Sequence, residues 1–221
     1  MVFECWFMAA KNGKIDDIKM LLKRGFKINR KVNLEGTVGD ATALYCAAAG
    51  GWNDIVKILL ESGAEANKAT NKRCTPLYAA SQEGYLEVVK YLVEEGKAEV
   101  DKAKHDGATP LFIASQNGYL DVVKYLMELG KVAVDKAEKI GCTSLYFGSQ
   151  NGLLKVVKYL VEEGRAVRQG GEEWMDSSLH CGSAGLLGCC RWLVEEGKVC
   201  TWIRRRCMDV LLSSLRLSWA N

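Results

Sequence analysis

The sequence predicts an all-α solenoid of stacked helix pairs, and three observations predict it. The segment TPLYAASQEGYLEVVKYLVEEG (75–96) returns as TPLFIASQNGYLDVVKYLMELG (109–130) and TSLYFGSQNGLLKVVKYLVEEG (143–164), after an earlier copy TALYCAAAGGWNDIVKILLESG (42–63). The starting residues Thr42, Thr75, Thr109 and Thr143 are 33, 34 and 34 residues apart, and self-similarity at a fixed period marks a repeat array. Each copy holds two short helical patterns around a glycine. Such a pair cannot bury its own apolar face, so about three or more units must stack.

The elements follow in order. A leading copy, ECWFMAAKNGKIDDIKMLLKRG (4–25), stands 38 residues before the second, and its connection FKINRKVNLEGTVGD is the longer one. Residues 1–41 are therefore a first unit with a long loop, and 42–164 hold four regular units. Thr75 and Thr109 are placed to cap a first helix through their hydroxyls, worth on the order of 1 kcal/mol, with Pro76 and Pro110 in its first turn. That helix is predicted to stop near Gly84 or Gly118. The second helix, YLEVVKYLVEEG, sets Leu86, Val89, Leu92 and Val93 on one side. Glu87 and Lys90, three apart, lie on its wet side. Gly96, Gly130 and Gly164 are expected to end it in the left-handed conformation. Linkers such as VDKAKHDGA carry turn residues around Gly107 and Gly141.

The T-P-L-x-x-A start, the mid-repeat Gly, the VVKYLVEEG second helix and the 33–34 period together resemble the ankyrin-repeat family over residues 4–164, with one partial copy beyond. The resemblance implies two antiparallel helices per unit and a short hairpin-like finger loop projecting sideways. Two departures stand out. Tyr45, Tyr78, Phe112 and Tyr146 sit where the family usually has His, which removes a hydrogen-bond tie but leaves an aromatic to pack. Arg73 stands where Gly107 and Gly141 stand later, which exposes the finger at 70–75 to distortion.

Beyond Gly164 the pattern degrades. Residues 165–197 read as a degenerate repeat, and 198–221 as an irregular tail. Composition changes at the same place: 19 of 22 basic residues before 165 are Lys, seven of eight afterwards are Arg, and five of nine Cys and four of six Trp lie beyond 164. A shifted reading frame accounts for this. Read from the third codon base, Trp202-Ile203 must give Asp and Met208-Asp209 must give Gly. Permitted codons elsewhere spell D-K-A-E-M-Y-G-C-T-P-L, matching DKAEKIGCTSL (135–145) without a gap. From the second base, Trp174-Met175 must give Gly and Met175-Asp176 must give Trp, and permitted codons from Arg168 onward can spell D-K-A-E-K-N-G-W-T-P. The expectation is that 166–176 and 199–221 are out-of-frame readings of repeat coding sequence. The stretch 177–190 fits either a continued shift or the in-frame alignment of SSLHCGSAGLLGCCRWLVEEG (177–197) with TSLYFGSQNGLLKVVKYLVEEG, one residue missing. Sequencing the locus and transcript tests it: bases that do not spell DKAE…GCTPL in another frame refute it.

Composition narrows the function classes. The chain of 221 residues carries 30 basic and 27 acidic residues, a formal charge of +3, which makes no electrostatic case for nucleic acid. Arg204-Arg205-Arg206 is a thin basic signal without aromatic platforms. No apolar stretch approaches the roughly 20 residues needed to span a bilayer. The start MVFECWFMAAKNGK lacks a basic lead-in, so no signal peptide is expected. An odd cysteine count without a framework argues against a disulfide scaffold and favours a reducing, intracellular, cytoplasmic setting. His180, Cys181, Cys189, Cys190 and Cys200 lack the close ligand pairs of zinc sites, so no metal is expected. Cys74 and Cys142 precede the capping position and read as packing residues. With only His105 and His180, no nucleophile–base arrangement and no phosphate loop, the chain reads as a non-enzyme without cofactor or small-molecule substrate.

What remains is surface recognition. The resemblance implies that first-helix positions and finger tips face a protein partner. On this sequence these are Ala79, Gln82 and Glu83, then Ile113, Gln116 and Asn117, then Phe147, Gln150 and Asn151. The finger candidates are Lys72, Arg73, His105, Asp106, Lys139 and Ile140. Amides flank a side chain growing from Ala79 to Ile113 to Phe147, as in a surface of apolar anchors and orienting hydrogen bonds. The competing reading folds Phe147 inward against its neighbour. The sequence thus reads as a protein–protein interaction scaffold or adaptor. Its rivals are a regulatory segment of a longer enzyme or channel, which downstream coding sequence would reveal, and a damaged-gene product without function, which absence of stable protein would favour.

Overall fold

A short helix needs a cap for the donors of its first turn, and the repeated threonines supply it. In the computed structural model, which describes residues 8–34, 39–129 and 144–162, buried Thr42, Thr75 and Thr109 accept hydrogen bonds through Oγ1. The donors are the backbone N–H groups of Tyr45 (3.2 Å), Tyr78 (3.1 Å) and Phe112 (3.2 Å). The expectations for 165–197, 198–221, Gly130, Gly164, Cys142, Lys139 and Ile140 lie outside the described residues.

Residues 8–11 are helical and precede α1 (Ile15–Lys23). The second unit holds α2 (Ala43–Ala49) and α3 (Asn53–Glu61). Then come α4 (Pro76–Glu83) with α5 (Leu86–Glu94), α6 (Pro110–Asn117) with α7 (Leu120–Glu128), and α8 (Ser144–Gln150) with α9 (Leu154–Glu162). Pro76 and Pro110 open their helices, and left-handed Gly84 (φ 78°) and Gly118 (φ 85°) close them, as the sequence requires. First helices stack in order, α2 on α4, α4 on α6 and α6 on α8. Second helices form the parallel row α1, α3, α5, α7, α9, and α3, α5, α7 and α9 each pack on their own first helix.

The core runs continuously through the stack. Ala47, Ala80 and Ala114, all fully buried, occupy equivalent places in successive first helices. Their small side chains let the helices approach. On α5 the buried residues are Val88, Val89 and Leu92, while Leu86 and Val93 are only partly covered. The buried face is therefore rotated from the expected stripe, because α5 packs on α4 and on both neighbouring second helices. Tyr45, Tyr78 and Phe112 are buried, so aromatic packing does replace a polar tie at that position. Cys74 is a buried free thiol, in keeping with a packing role.

Three local findings refine the sequence reading. The long connection closes as a two-stranded antiparallel hairpin, β1 (Val32–Leu34) against β2 (Gly39–Ala41), with Val32 opposite Ala41. The finger at 70–75 is not distorted: Arg73 adopts φ 62°, the left-handed conformation that Gly107 adopts at φ 92°. Thr70 and Arg73 then make the same backbone bonds (Thr70 N–H to Cys74 O, 2.9 Å; Arg73 N–H to Thr70 O, 2.9 Å) as Lys104 and Gly107 in the next finger. Gly96, expected to be left-handed, is not; Lys97 takes that conformation instead (φ 52°). The segment Gly96–Asp101 is one residue longer than Gly63–Asn67, which displaces the turn. Gly96 is needed for space: a Cβ there would lie 2.7 Å from the Leu92 carbonyl oxygen and 3.0 Å from the Ala66 Cβ.

Candidate binding surface

Each first helix starts at a threonine directly after a finger and ends at the turn into its second helix. The row α4, α6, α8 therefore forms a strip about 12 Å wide, from 1.5 Å per residue over eight residues, with fingers along one edge and interhelical turns along the other. Side chains from three successive units meet on it.

The structure sorts the candidate residues. Gln82 and Glu83 are exposed, with Gln82 Nε2 donating to Glu83 Oε1 at 3.2 Å. Gln150 is exposed and Gln116 half-buried. Ala79, by contrast, is 3% exposed; it belongs to the core between stacked helices and offers a partner no surface. Asn117 and Asn151 are exposed, yet their amides already act in the stack. Asn117 Nδ2 donates to the Gln82 carbonyl at 2.8 Å, and Asn151 Nδ2 to the Gln116 carbonyl at 2.8 Å. Phe147 is half-buried and meets Phe112 edge to face, ring centroids 5.3 Å apart and planes at 72°. Ile113 is likewise half-buried against the core. Both anchors are thus partly drawn into the stack, leaving only part of each ring or branch to a partner.

The fingers form the other component. Lys72, Arg73 and His105 are exposed, and the His105 N–H donates to the Lys72 carbonyl at 3.4 Å, joining adjacent fingers. Asp106 is tied inward: Lys104 Nζ lies 2.7 Å from Oδ2, and the Ala108 N–H donates to Oδ1 at 3.2 Å. These contacts hold its carboxyl below the ordinary range despite partial burial. Lys104 also sits 5.6 Å from the Tyr78 ring centroid, a cation–π distance. Arg73 keeps its left-handed backbone at a cost of about 1–2 kcal/mol that glycine would avoid.

Sequence reasoning missed a third component. Trp52, Tyr85 and Tyr119 are 41%, 39% and 37% exposed and line the turn edge of the strip. Each ring covers the left-handed glycine of the preceding unit: Trp52 over Gly13, Tyr85 over Gly51, Tyr119 over Gly84. Trp52 also donates through Nε1 to the Lys11 carbonyl at 3.0 Å. The signal was an aromatic immediately after the mid-repeat glycine, which the helical pattern absorbed as the first residue of the second helix.

The chemistry on offer is recognition. Burial pushes the Cys46 and Cys74 thiols up, so neither is a ready thiolate nucleophile. Among the described residues, no three His, Cys, Asp or Glu side chains gather to hold a metal, and no helix is long and apolar enough to cross a membrane.

Comparison with known proteins agrees with this architecture. The family model described as ankyrin repeats (3 copies) matches residues 6–104 and 96–170. The chain is 32% identical over 90 residues to the Ankyrin repeat and KH domain-containing protein mask-1 of Caenorhabditis elegans, covering 41% of this chain and 3% of that protein. It is 35% identical over 89 residues to Alpha-latrocrustotoxin-Lt1a of Latrodectus tredecimguttatus, covering 40% of this chain and 6% of the other. Over 55 residues it is 44% identical to the human Ankyrin repeat and KH domain-containing protein 1, covering 25% and 2%. The chain thus spans a small part of the length of each of these relatives.

Proposed function

We propose a function from one premise: the chain belongs to the ankyrin-repeat family, whose repeats are in general protein-interaction modules. The chain acts as a scaffold or adaptor that holds a protein partner across the strip formed by α4, α6 and α8, with the fingers at one edge. The observation that carries this reading is the convergence of side chains from three consecutive units on one surface. Exposed Gln82, Glu83 and Gln150 and half-buried Gln116, Ile113 and Phe147 combine polar orientation with partial apolar exposure. Tyr85 and Tyr119 at the turn edge are the amphipathic aromatics that interfaces favour. The role needs no catalytic group or cofactor, and it fits an intracellular, cytoplasmic setting in which the described thiols stay free.

The test is affinity capture with the full chain and with a Gln82→Ala/Gln116→Ala/Gln150→Ala variant whose helical circular dichroism is unchanged. The expected result is a defined set of captured proteins that the variant loses. Capture of the same set by both proteins would place recognition elsewhere on the molecule.

A further inference from the structure

The finger at 70–75 uses an unfavourable residue where its neighbour uses a favourable one. Arg73 and Gly107 occupy equivalent turn positions with the same backbone bonds, and both are left-handed. Glycine reaches that conformation freely; arginine does so against a steric penalty. Nothing in the turn's hydrogen bonding requires arginine. Strain of this kind at an exposed site is a pointer to function.

The side chains nearby say what Arg73 meets. Exposed Lys72 and His105 adjoin Arg73, and the His105 N–H to Lys72 O bond fixes the two fingers side by side. Of the acidic groups in this finger, Asp106 is held by Lys104 and by the Ala108 N–H, Glu99 pairs with Lys102 at 3.0 Å, and Asp101 is half-buried. The finger tips therefore face solvent as a basic edge. At the opposite edge stand exposed Asp54, Glu83 and Asp121, while Glu87 there is paired with Lys90 at 2.9 Å. A long polyphosphate backbone crossing the strip would meet that acidic edge. A short acidic segment confined to the fingers would not. Arginine's planar fork of donors matches a carboxylate bidentately.

We propose that Arg73 is a specificity-determining contact that receives a carboxylate of an acidic segment in the partner protein, with Lys72 and His105 flanking it. This rests on the interaction function proposed above and names the chemistry of the partner segment.

Arg73→Gly and Arg73→Gln in the full chain test it, using a fluorescein-labelled hexaglutamate peptide, a matched hexaglutamine peptide and a short DNA duplex, with fluorescence anisotropy as the readout. The unsubstituted chain is expected to bind hexaglutamate and not hexaglutamine, and both variants to bind it roughly tenfold more weakly. Arg73→Gly is also expected to raise Tm by about 2–4 °C by relieving the backbone, whereas Arg73→Gln is not. Hexaglutamate affinity unchanged in both variants overturns the assignment, as does tighter binding to DNA than to the peptide. Affinity capture separates the two levels. Partners lost with the Gln82/Gln116/Gln150 variant but retained with Arg73→Gln sink this inference alone, while partners retained by both sink the interaction surface itself.

Discussion

Two glycines show how one residue type serves opposite needs. Gly84 is left-handed and lies under the Tyr119 ring, where a Cβ would approach ring carbons to 2.4 Å. Gly84→Ala combines a disfavoured backbone with a displaced aromatic and is expected to cost about 2–3 kcal/mol. Gly148 stands in α8 where α4 and α6 carry Ala80 and Ala114, and an added Cβ would meet nothing nearer than the Val157 Cγ2 at 3.5 Å. Gly148→Ala should therefore stabilise by about 0.5–1 kcal/mol. Urea denaturation midpoints of the two variants should move in opposite directions. At Tyr78, burial pushes the phenol up to about 12 from 10.0, partly offset by the Lys104 ammonium. Below pH 10 the phenol is protonated in both folded and unfolded chains and burial contributes fully. As pH rises from 10 towards 12 the unfolded chain ionises first, so stability falls. Tyr78→Phe should flatten that alkaline loss by about 1–2 kcal/mol, read as the difference in Tm between pH 9.5 and 11.5.

At the scale of the helix, the caps are the clearest link from sequence to structure. Thr109 is buried and its Oγ1 accepts from the Phe112 N–H at 3.2 Å. Thr109→Ala should cost about 1–2 kcal/mol, while Thr109→Ser should recover most of it because the hydroxyl remains; thermal denaturation followed at 222 nm checks the pair. The caps, the stops at Gly84 and Gly118 and the existence of each helix were legible because each is a local rule written in adjacent residues, whereas the exact buried face of α5 was set by its neighbours. The hairpin Val32–Leu34 with Gly39–Ala41 was not: three-residue strands are too short to show alternation. The left-handed turn at Lys97 was hidden for another reason. Glycine at 96 suggested the conformation, but the one-residue insertion moved it, and only the approach of Ala66 and Leu60 reveals what Gly96 is for. The strip itself was legible as a periodic series at Gln82, Gln116 and Gln150. The division of labour within it was not, because the bonds from Asn117 and Asn151 to the preceding unit and the burial of Ala79 arise from stacking, which no single repeat encodes.

For the whole array, stability is the sum of units and of the interfaces between neighbours, so polar ties across an interface govern cooperativity more than total stability. Two asparagines make such ties at equivalent places. Asn29 Nδ2 donates to the Gly63 carbonyl at 3.2 Å while its Oδ1 accepts from the Glu65 N–H at 2.8 Å. Asn67 Nδ2 donates to the Lys97 carbonyl at 3.4 Å while its Oδ1 accepts from the Glu99 N–H at 2.8 Å. One amide thus clamps both a donor and an acceptor of the next unit. An aspartate could accept but not donate. Asn67 joins the units around α3 and α5, in the interior of the described stack. Its replacement by alanine removes two exposed hydrogen bonds, about 1 kcal/mol in all, from an interface on which coupling of the two halves depends. Asn67→Ala is therefore expected to broaden the calorimetric transition and raise the ratio of calorimetric to van't Hoff enthalpy above its value in the unsubstituted chain. Asn67→Asp should fall between the two, since it keeps the bond from the Glu99 N–H and loses the one to Lys97. A uniform drop in midpoint with no change in that ratio would mean that apolar packing of α3 on α5 couples the units without help from the clamp.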